Sequence, residues 1–437
     1  MPSNKKIHAY AAIFFWGIIL GYAWMAPRVY SYARNGYADF SAFYTAGQIL
    51  HRGQGHRLYD SAFQTEVQRE FSQAAVTRNR ALPYLRAPFQ ALMFLPFTYL
   101  TYVRAYQVWI VLCGILVAVT ARLLRVRIPA LQTFPWWVYY PAYFSFLPIA
   151  YGFALGQDCA LMLFLLALFT LALREERDFR AGCFLGLALI KFQLVLPLVL
   201  ILLLKKQFRV LGGFSVMAGC LAAISVWIAG WDGLMAYPAY LLRLNHVPAA
   251  AAIFPGMMPS LRGLVEGWMD PMHSSHVLDL FTAMLALAVL VWAARQWDTA
   301  SSRHSRIYLA GVSATLLGAF LAGYHAFSYD LSLLCPVVLL ASESALRDVD
   351  LDTATRRIFL LGAGGLLFAP FYLLLVWKAR LNLMAIFPIL LLWGYGRALR
   401  TWTLGKANVR LEVAVFPEPR QSRSHSFLPE EDHYQHR

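Results

Sequence analysis

Apolar runs dominate the chain. They recur near residues 8–27, 103–121, 133–151, 157–173, 181–190, 192–204, 210–229, 277–294, 307–325, 331–346, 358–377 and 382–397, with short basic connectors between several of them. A run of about 20 apolar residues can cross a bilayer. Backbone in lipid must satisfy its own hydrogen bonds, so nearly every run is predicted to be helical. The pattern predicts an all-α, polytopic integral membrane protein with about twelve transmembrane helices and both termini cytoplasmic. The fifth and sixth runs are too short to cross alone. As one continuous helix, 181–204 would be long enough, but Lys191 would then sit near the bilayer centre at a cost of roughly 2.5–3.5 kcal/mol. The basic clusters at 174–180 and 205–209 would also fall on opposite sides. A helical hairpin dipping from the cytoplasm, with Lys191 at its tip, resolves both problems and is allowed where protein or a cavity surrounds it.

Two longer polar stretches, 28–88 and 230–276, are expected outside the cytoplasm. In the first, Phe40, Phe43, Tyr44, Gly47 and Leu50 fall on one helical face and Ser41, Thr45, Gln48 and Arg52 on the other. That spacing predicts an amphipathic helix at the membrane interface. A second, polar helix is expected from Asp60 to Ser72, with Asp60 as its cap. Residues 79–98, with Pro83, Pro88 and Pro96, should return to the membrane as kinked, partly extended chain. The second loop has no clear periodicity. Residues 1–410 form one transmembrane domain on this reading, and the polar residues 411–437 a disordered cytoplasmic tail. Lys5-Lys6 precede an apolar run reaching Pro27 without a small-residue cleavage site, which reads as a retained signal anchor.

Composition supports the membrane reading. The chain of 437 residues is 59% hydrophobic and 14% charged, against about 25% charged residues in a typical soluble protein. The formal net charge of +15 is not a nucleic-acid signal, because most Lys and Arg fall in connectors assigned to one side, as the positive-inside rule requires. The five cysteines lie in or beside apolar segments without metal-ligand spacing and read as packing residues. There is no P-loop, zinc-protease or dinucleotide fingerprint, and no carboxylate cluster suggests a divalent metal. Neither a metal nor another cofactor is expected.

On this topology Asp39, Gln157-Asp158, Lys191, and His325 with Asp330 gather at the extracytoplasmic face. Ionisable groups at membrane depth are costly and point to function. A carboxylate could take a proton from an acceptor hydroxyl, while Lys191 and a protonated His325 stabilise charge on a leaving phosphate. Each residue also has a plainer role. Asp39 could N-cap the following helix, although Ala42 leaves no capping box. Lys191 could snorkel, His325 could be an interfacial histidine, and Asp158 and Asp330 could be turn or cap residues.

The pattern resembles the family-87 glycosyltransferases, polyprenol-phosphate-mannose-dependent enzymes of the GT-C superfamily. Asp39-Phe40 with Phe43-Tyr44, Ala46, Gly53 and Leu58-Tyr59-Asp60 resembles the family's first-loop signature. Tyr84, Pro88-Phe89 and Leu95-Pro96 resemble its loop exit. Gly156-Gln157, then Ala181-Gly182, Gly186-Leu187 and Ile190-Lys191, then His325 with Tyr329-Asp330-Leu331, follow in order. Two departures are Lys191-Phe192, where the family often has Lys-Pro, and Asp158-Cys159, where it commonly has a hydrophobic residue and Asn. The resemblance implies a GT-C fold with Asp39 as catalytic base and Lys191 and His325 at the donor phosphate and reacting centre, with Gln157, Asp158, Tyr84 and Asp330 as further substrate contacts. It implies inverting transfer of a sugar, mannose foremost, from a polyprenyl phosphate to a lipid or glycan acceptor outside the cytoplasm. The expected setting is a monomer in the plasma or inner membrane. A transporter or flippase of lipid-linked sugars would favour inverted repeats, and none is found. An inactive membrane scaffold would tolerate changes at Asp39 and Lys191 together.

Overall fold

A computed structural model describes residues 4–246, 255–267, 276–372 and 382–415, all of them helix, turn or coil without a strand. Helix α1 (Asn4–Arg34) leads into four short helices: α2 (Phe40–His51), α3 (Ser61–Arg69), α4 (Gln73–Arg78) and α5 (Pro88–Phe94). Then follow α6 (Tyr102–Arg127), α7 (Pro129–Gln132), α8 (Trp136–Ser145), α9 (Leu147–Leu155), α10 (Cys159–Arg174), α11 (Asp178–Leu187), α12 (Phe192–Leu204) and α13 (Phe208–His246). The remaining helices are α14 (Leu261–Glu266), α15 (His276–Gln296), α16 (Arg306–Ala322), α17 (Cys335–Arg347), α18 (Thr353–Leu367) and α19 (Ile386–Val415).

Among the described residues, 7 helical runs are long and apolar enough to cross a membrane. Exposed apolar rows such as Trp16, Leu20 and Trp24 on α1, or Val277, Leu280, Met284 and Leu287 on α15, suit a lipid-facing surface. This is a multi-pass membrane protein. Two shorter apolar helices, Cys159–Arg174 and Arg306–Ala322, accompany the 7 longer runs, and these runs do not by themselves establish the expected count of twelve. The run expected at 133–151 is split between α8 and α9, because Phe146 is extended (φ −65°, ψ 107°) and Pro148 has no amide hydrogen for a continuous helix. The run at 307–325 stops at Ala322 after 17 residues. Part of the run at 358–377 lies outside the described residues.

The hairpin at Lys191 follows from the packing of α11 on α13. A Cβ at Gly182 would overlap the Val210 carbonyl oxygen, one at Gly213 would overlap the Phe179 carbonyl, and one at Gly186 would sit 2.6 Å from Met217 Cβ. Numbering rises together along both helices, so they run parallel. Helix α12 must therefore carry the chain back between them. The reversal falls at Lys191, whose backbone leaves the helical region (φ −127°, ψ 66°). By length and hydropathy 178–204 counts as one spanning run, but its two arms point in opposite directions.

The first loop departs from expectation. Helix α2 does not lie with a polar face in water: Ser41 and Thr45 are as buried as Phe40 and Phe43. Helix α3 covers that face, and Gln68 donates to Thr45 Oγ1 at 3.0 Å. Asp60 does cap α3, accepting from the amides of Ala62 and Phe63 at 3.0 and 3.1 Å. In the second loop α13 continues to His246, bending at Gly230 (φ 71°, ψ 172°), so the early part of this stretch is helical despite its weak periodicity. Of the cysteines, Cys113, Cys159 and Cys335 are buried, Cys183 is half-buried and Cys220 is exposed, so the packing role does not extend to Cys220. The tail expected to be disordered begins as helix through Val415. Residues 416–437 lie outside the described residues.

Candidate active site

The turn before α10 is built by its backbone. Gly156 adopts φ +64°, Gln157 N–H bonds the Gly152 carbonyl at 2.9 Å and Gly156 N–H the Phe153 carbonyl at 3.0 Å. This paired reversal closes α9. Trp109 Nε1 donates to the Gly156 carbonyl at 2.9 Å. The turn thus presents Gln157 and Asp158 toward the first loop.

There Asp39 begins α2, but its side chain makes no capping hydrogen bond. Instead Asp39 Oδ2 accepts from Gln157 Nε2 at 2.6 Å. Gln157 Oε1 in turn accepts from Arg86 Nη2 at 3.3 Å, which fixes which end of the amide faces which partner. Asp39 keeps some accessible surface. The protein around it still strips away enough water to raise its carboxyl pKa, against the lowering effects of the Gln157 bond and the Arg86 and Lys191 charges. A carboxylate so raised is better matched to proton abstraction near neutral pH.

Asp158, which makes no capping bond either, is fully buried. It accepts from Gln90 Nε2 at 2.6 Å, lies 3.1 Å from Lys191 Nζ and 3.4 Å from Arg86 Nε. Lys191 at the hairpin tip also pairs with Asp330 and stands 4.7 Å from the Tyr329 ring centre. Asp330 doubles as a local cap, accepting from Phe327 N–H at 2.9 Å. Two cations and three carboxylates from five chain segments therefore meet in one network. Lone buried charges would be prohibitive, and pairing with further hydrogen bonds is what permits these.

Not every expected role survives this geometry. Lys191 is fully buried between two carboxylates, so it neither snorkels nor stands open to a phosphate by itself. Tyr84 is also fully buried. Its hydroxyl bonds the Ala87 carbonyl at 3.1 Å and Gln90 Oε1 at 3.2 Å, which leaves the Gln90 amide nitrogen facing Asp158. The protonated His325 expected from sequence is corrected. Burial first, then the charges of Arg262 and Arg86, push its pKa down to about 3, so the imidazole is neutral at physiological pH. Arg86 and Gln90 were not singled out from sequence. Their signal was a cation beside Pro88 and an amide within the apolar stretch 89–94.

The sequence profile of glycosyltransferase family 87 matches residues 84–323, more than half of the 437 residues. The chain belongs to this family. No curated protein and no solved structure matches it. As a family-87 glycosyltransferase it is a membrane enzyme that moves a sugar from a donor to an acceptor. The matched span includes Arg86, Gln90, Gln157, Asp158 and Lys191; Asp39, His325 and Asp330 lie outside it. Among the described residues of this glycosyltransferase, no group of three or more His, Cys, Asp or Glu is placed to hold a metal ion.

Proposed function

We propose that this family-87 enzyme transfers a hexosyl group, mannose by the sequence resemblance, from a polyprenyl phosphate to a lipid or glycan acceptor on the extracytoplasmic side of the plasma or inner membrane. Asp39 is the general base. The acceptor hydroxyl loses its proton to Asp39 as its oxygen bonds C1 of the sugar. The C1–O bond to phosphate breaks on the opposite face, giving inversion from a β-linked donor to an α-glycoside and releasing polyprenyl phosphate. Arg86 is the leading phosphate contact. Its contacts to Asp158 and Gln157 are long, 3.3–3.4 Å, and Asp158 keeps Lys191 and Gln90 as partners when Arg86 turns to a phosphate. Lys191 adds positive charge from behind, through its pair with Asp158.

The observation that carries this reading is Asp39. It is a carboxylate with some accessible surface, unused as a cap, held by Gln157 and raised in pKa beside two cations. The test incubates purified protein with labelled polyprenyl-phosphate-mannose and membrane lipid extract, then identifies the labelled product. Asp39→Asn should lower the rate by about 10²–10⁴ while the protein remains folded. Full activity in purified Asp39→Asn refutes the assignment.

A further inference from the structure

A second polar cluster adjoins the first and plays no part in the chemistry above. Helix α14, six residues long and preceded by Ser260, is fastened to the segment after α16. Arg262 Nε donates to Glu266 Oε2 at 2.6 Å, its Nη1 donates to the Tyr324 carbonyl at 3.4 Å, and its guanidinium lies 3.8 Å from the Tyr324 ring centre. Just ahead of α14, Met258 is fully buried against Leu85 and Phe327. Those two residues are the neighbours of the site: Leu85 precedes Arg86, and the Phe327 amide bonds Asp330.

Three buried polar atoms in this cluster have no hydrogen-bond partner among the described residues: Ser260 Oγ, Glu266 Oε1 and His325 Nε2. Ser260 is 0% exposed, and the Glu266 side chain is 11% exposed. An orphaned buried polar atom costs about 1–3 kcal/mol, and these three sit on two segments that Arg262 ties together through Glu266 and the Tyr324 carbonyl, so a single ligand between the segments would satisfy them. Their chemistry is a carboxylate oxygen, a hydroxyl and a neutral imidazole nitrogen. That set exchanges hydrogen bonds with vicinal hydroxyls, whereas a phosphate would call for cations. Among the described residues of this cluster the cation is Arg262, already engaged by Glu266 and the Tyr324 carbonyl.

We propose that Ser260 and Glu266, with His325, form the subsite for the hydroxyls of the donor's hexopyranose ring. This deepens the donor reading above and rests on it: with the phosphate at Arg86, the attached sugar falls against the segment that Met258 docks beside Leu85. Glu266 is then a sugar-binding residue, and Arg262 a positioning residue that holds Glu266 against the His325 segment.

The experiment measures calorimetric binding of undecaprenyl phosphate, undecaprenyl-phosphate-mannose and undecaprenyl-phosphate-glucose to the full-length protein in nanodiscs. Wild type, Glu266→Gln and Ser260→Ala are compared. Glutamine keeps an oxygen for Arg262, and Ser260→Ala is the milder change should the first variant fold poorly. Each substitution should weaken the preferred sugar-bearing lipid by roughly tenfold or more and leave undecaprenyl phosphate unchanged. Equal weakening of both lipid types, or no weakening of either, overturns the subsite. If wild type binds none of the three lipids, the donor reading itself fails. If both variants bind the sugar lipid as tightly as wild type, only the subsite fails.

Discussion

Gln157→Leu tests whether Asp39 works as a base whose strength is set by its neighbour. The substitution removes the 2.6 Å bond from Gln157 Nε2 to Asp39 Oδ2 and leaves the carboxylate where burial has already raised its pKa. A hydrogen bond to a charged group is worth about 1.5–3 kcal/mol, and one pKa unit corresponds to about 1.36 kcal/mol. Loss of the bond should therefore raise the Asp39 pKa by roughly one to two further units. The base is active when deprotonated, so the rising acidic limb of the kcat/KM profile must move to higher pH by that amount. The assay is initial-rate transfer from polyprenyl-phosphate-mannose across a pH series in one detergent and at one ionic strength. At high pH, where Asp39 is ionised in both proteins, the profiles should approach each other apart from a constant factor for the lost Arg86 anchor. A fall of equal size at every pH, with the limb unmoved, refutes the reasoning: Gln157 would then be acting on something other than the base.

The same raised pKa carries a stability consequence. Folding favours protonated Asp39, so its contribution is most favourable below the unfolded carboxyl pKa and is lost as pH rises through the folded one. Asp39→Asn should melt at or above the wild-type temperature at neutral pH, with an advantage that shrinks as pH falls toward the ordinary carboxylate range, readable by thermal unfolding in detergent. Lys191→Met strips Asp158 and Asp330 of their shared partner, and breaking such a pair costs about 3–5 kcal/mol. It should reduce folded yield and melting temperature as well as activity, and a fully stable, inactive variant would show a purely chemical lysine. His325, held neutral with a pKa near 3, should show no imidazole titration between about pH 5 and 8 by NMR, where an unperturbed histidine titrates.

What could be read in the sequence was what depends on neighbours along the chain. Hydropathy located the helices, Asp60 before a polar run announced its own cap, and basic clusters on both flanks of a short apolar pair required the reversal at Lys191. What could not be read depends on distant partners. The polar face of α2 looked solvent-facing because the residue that satisfies Thr45 is Gln68, on another helix. The break at Phe146 is hidden inside an unbroken apolar run. Arg86 looked like one loop arginine among several, and only the fold sets it against Asp158, drawn from 72 residues away. The protonation of His325 depends on burial and on Arg262, neither visible in local sequence.

The tight turn at Gly156 has a mechanical consequence. A Cβ there would press to 2.6 Å on Phe40 Cβ, so two distant stretches of chain touch with no room for a side chain between them. Asp39 and Gln157 are each the immediate neighbour of that contact. The spacing between Asp39 and its donor Gln157 is thus gauged by the thickness of the main chain and one aromatic residue, not by the reach of flexible side chains.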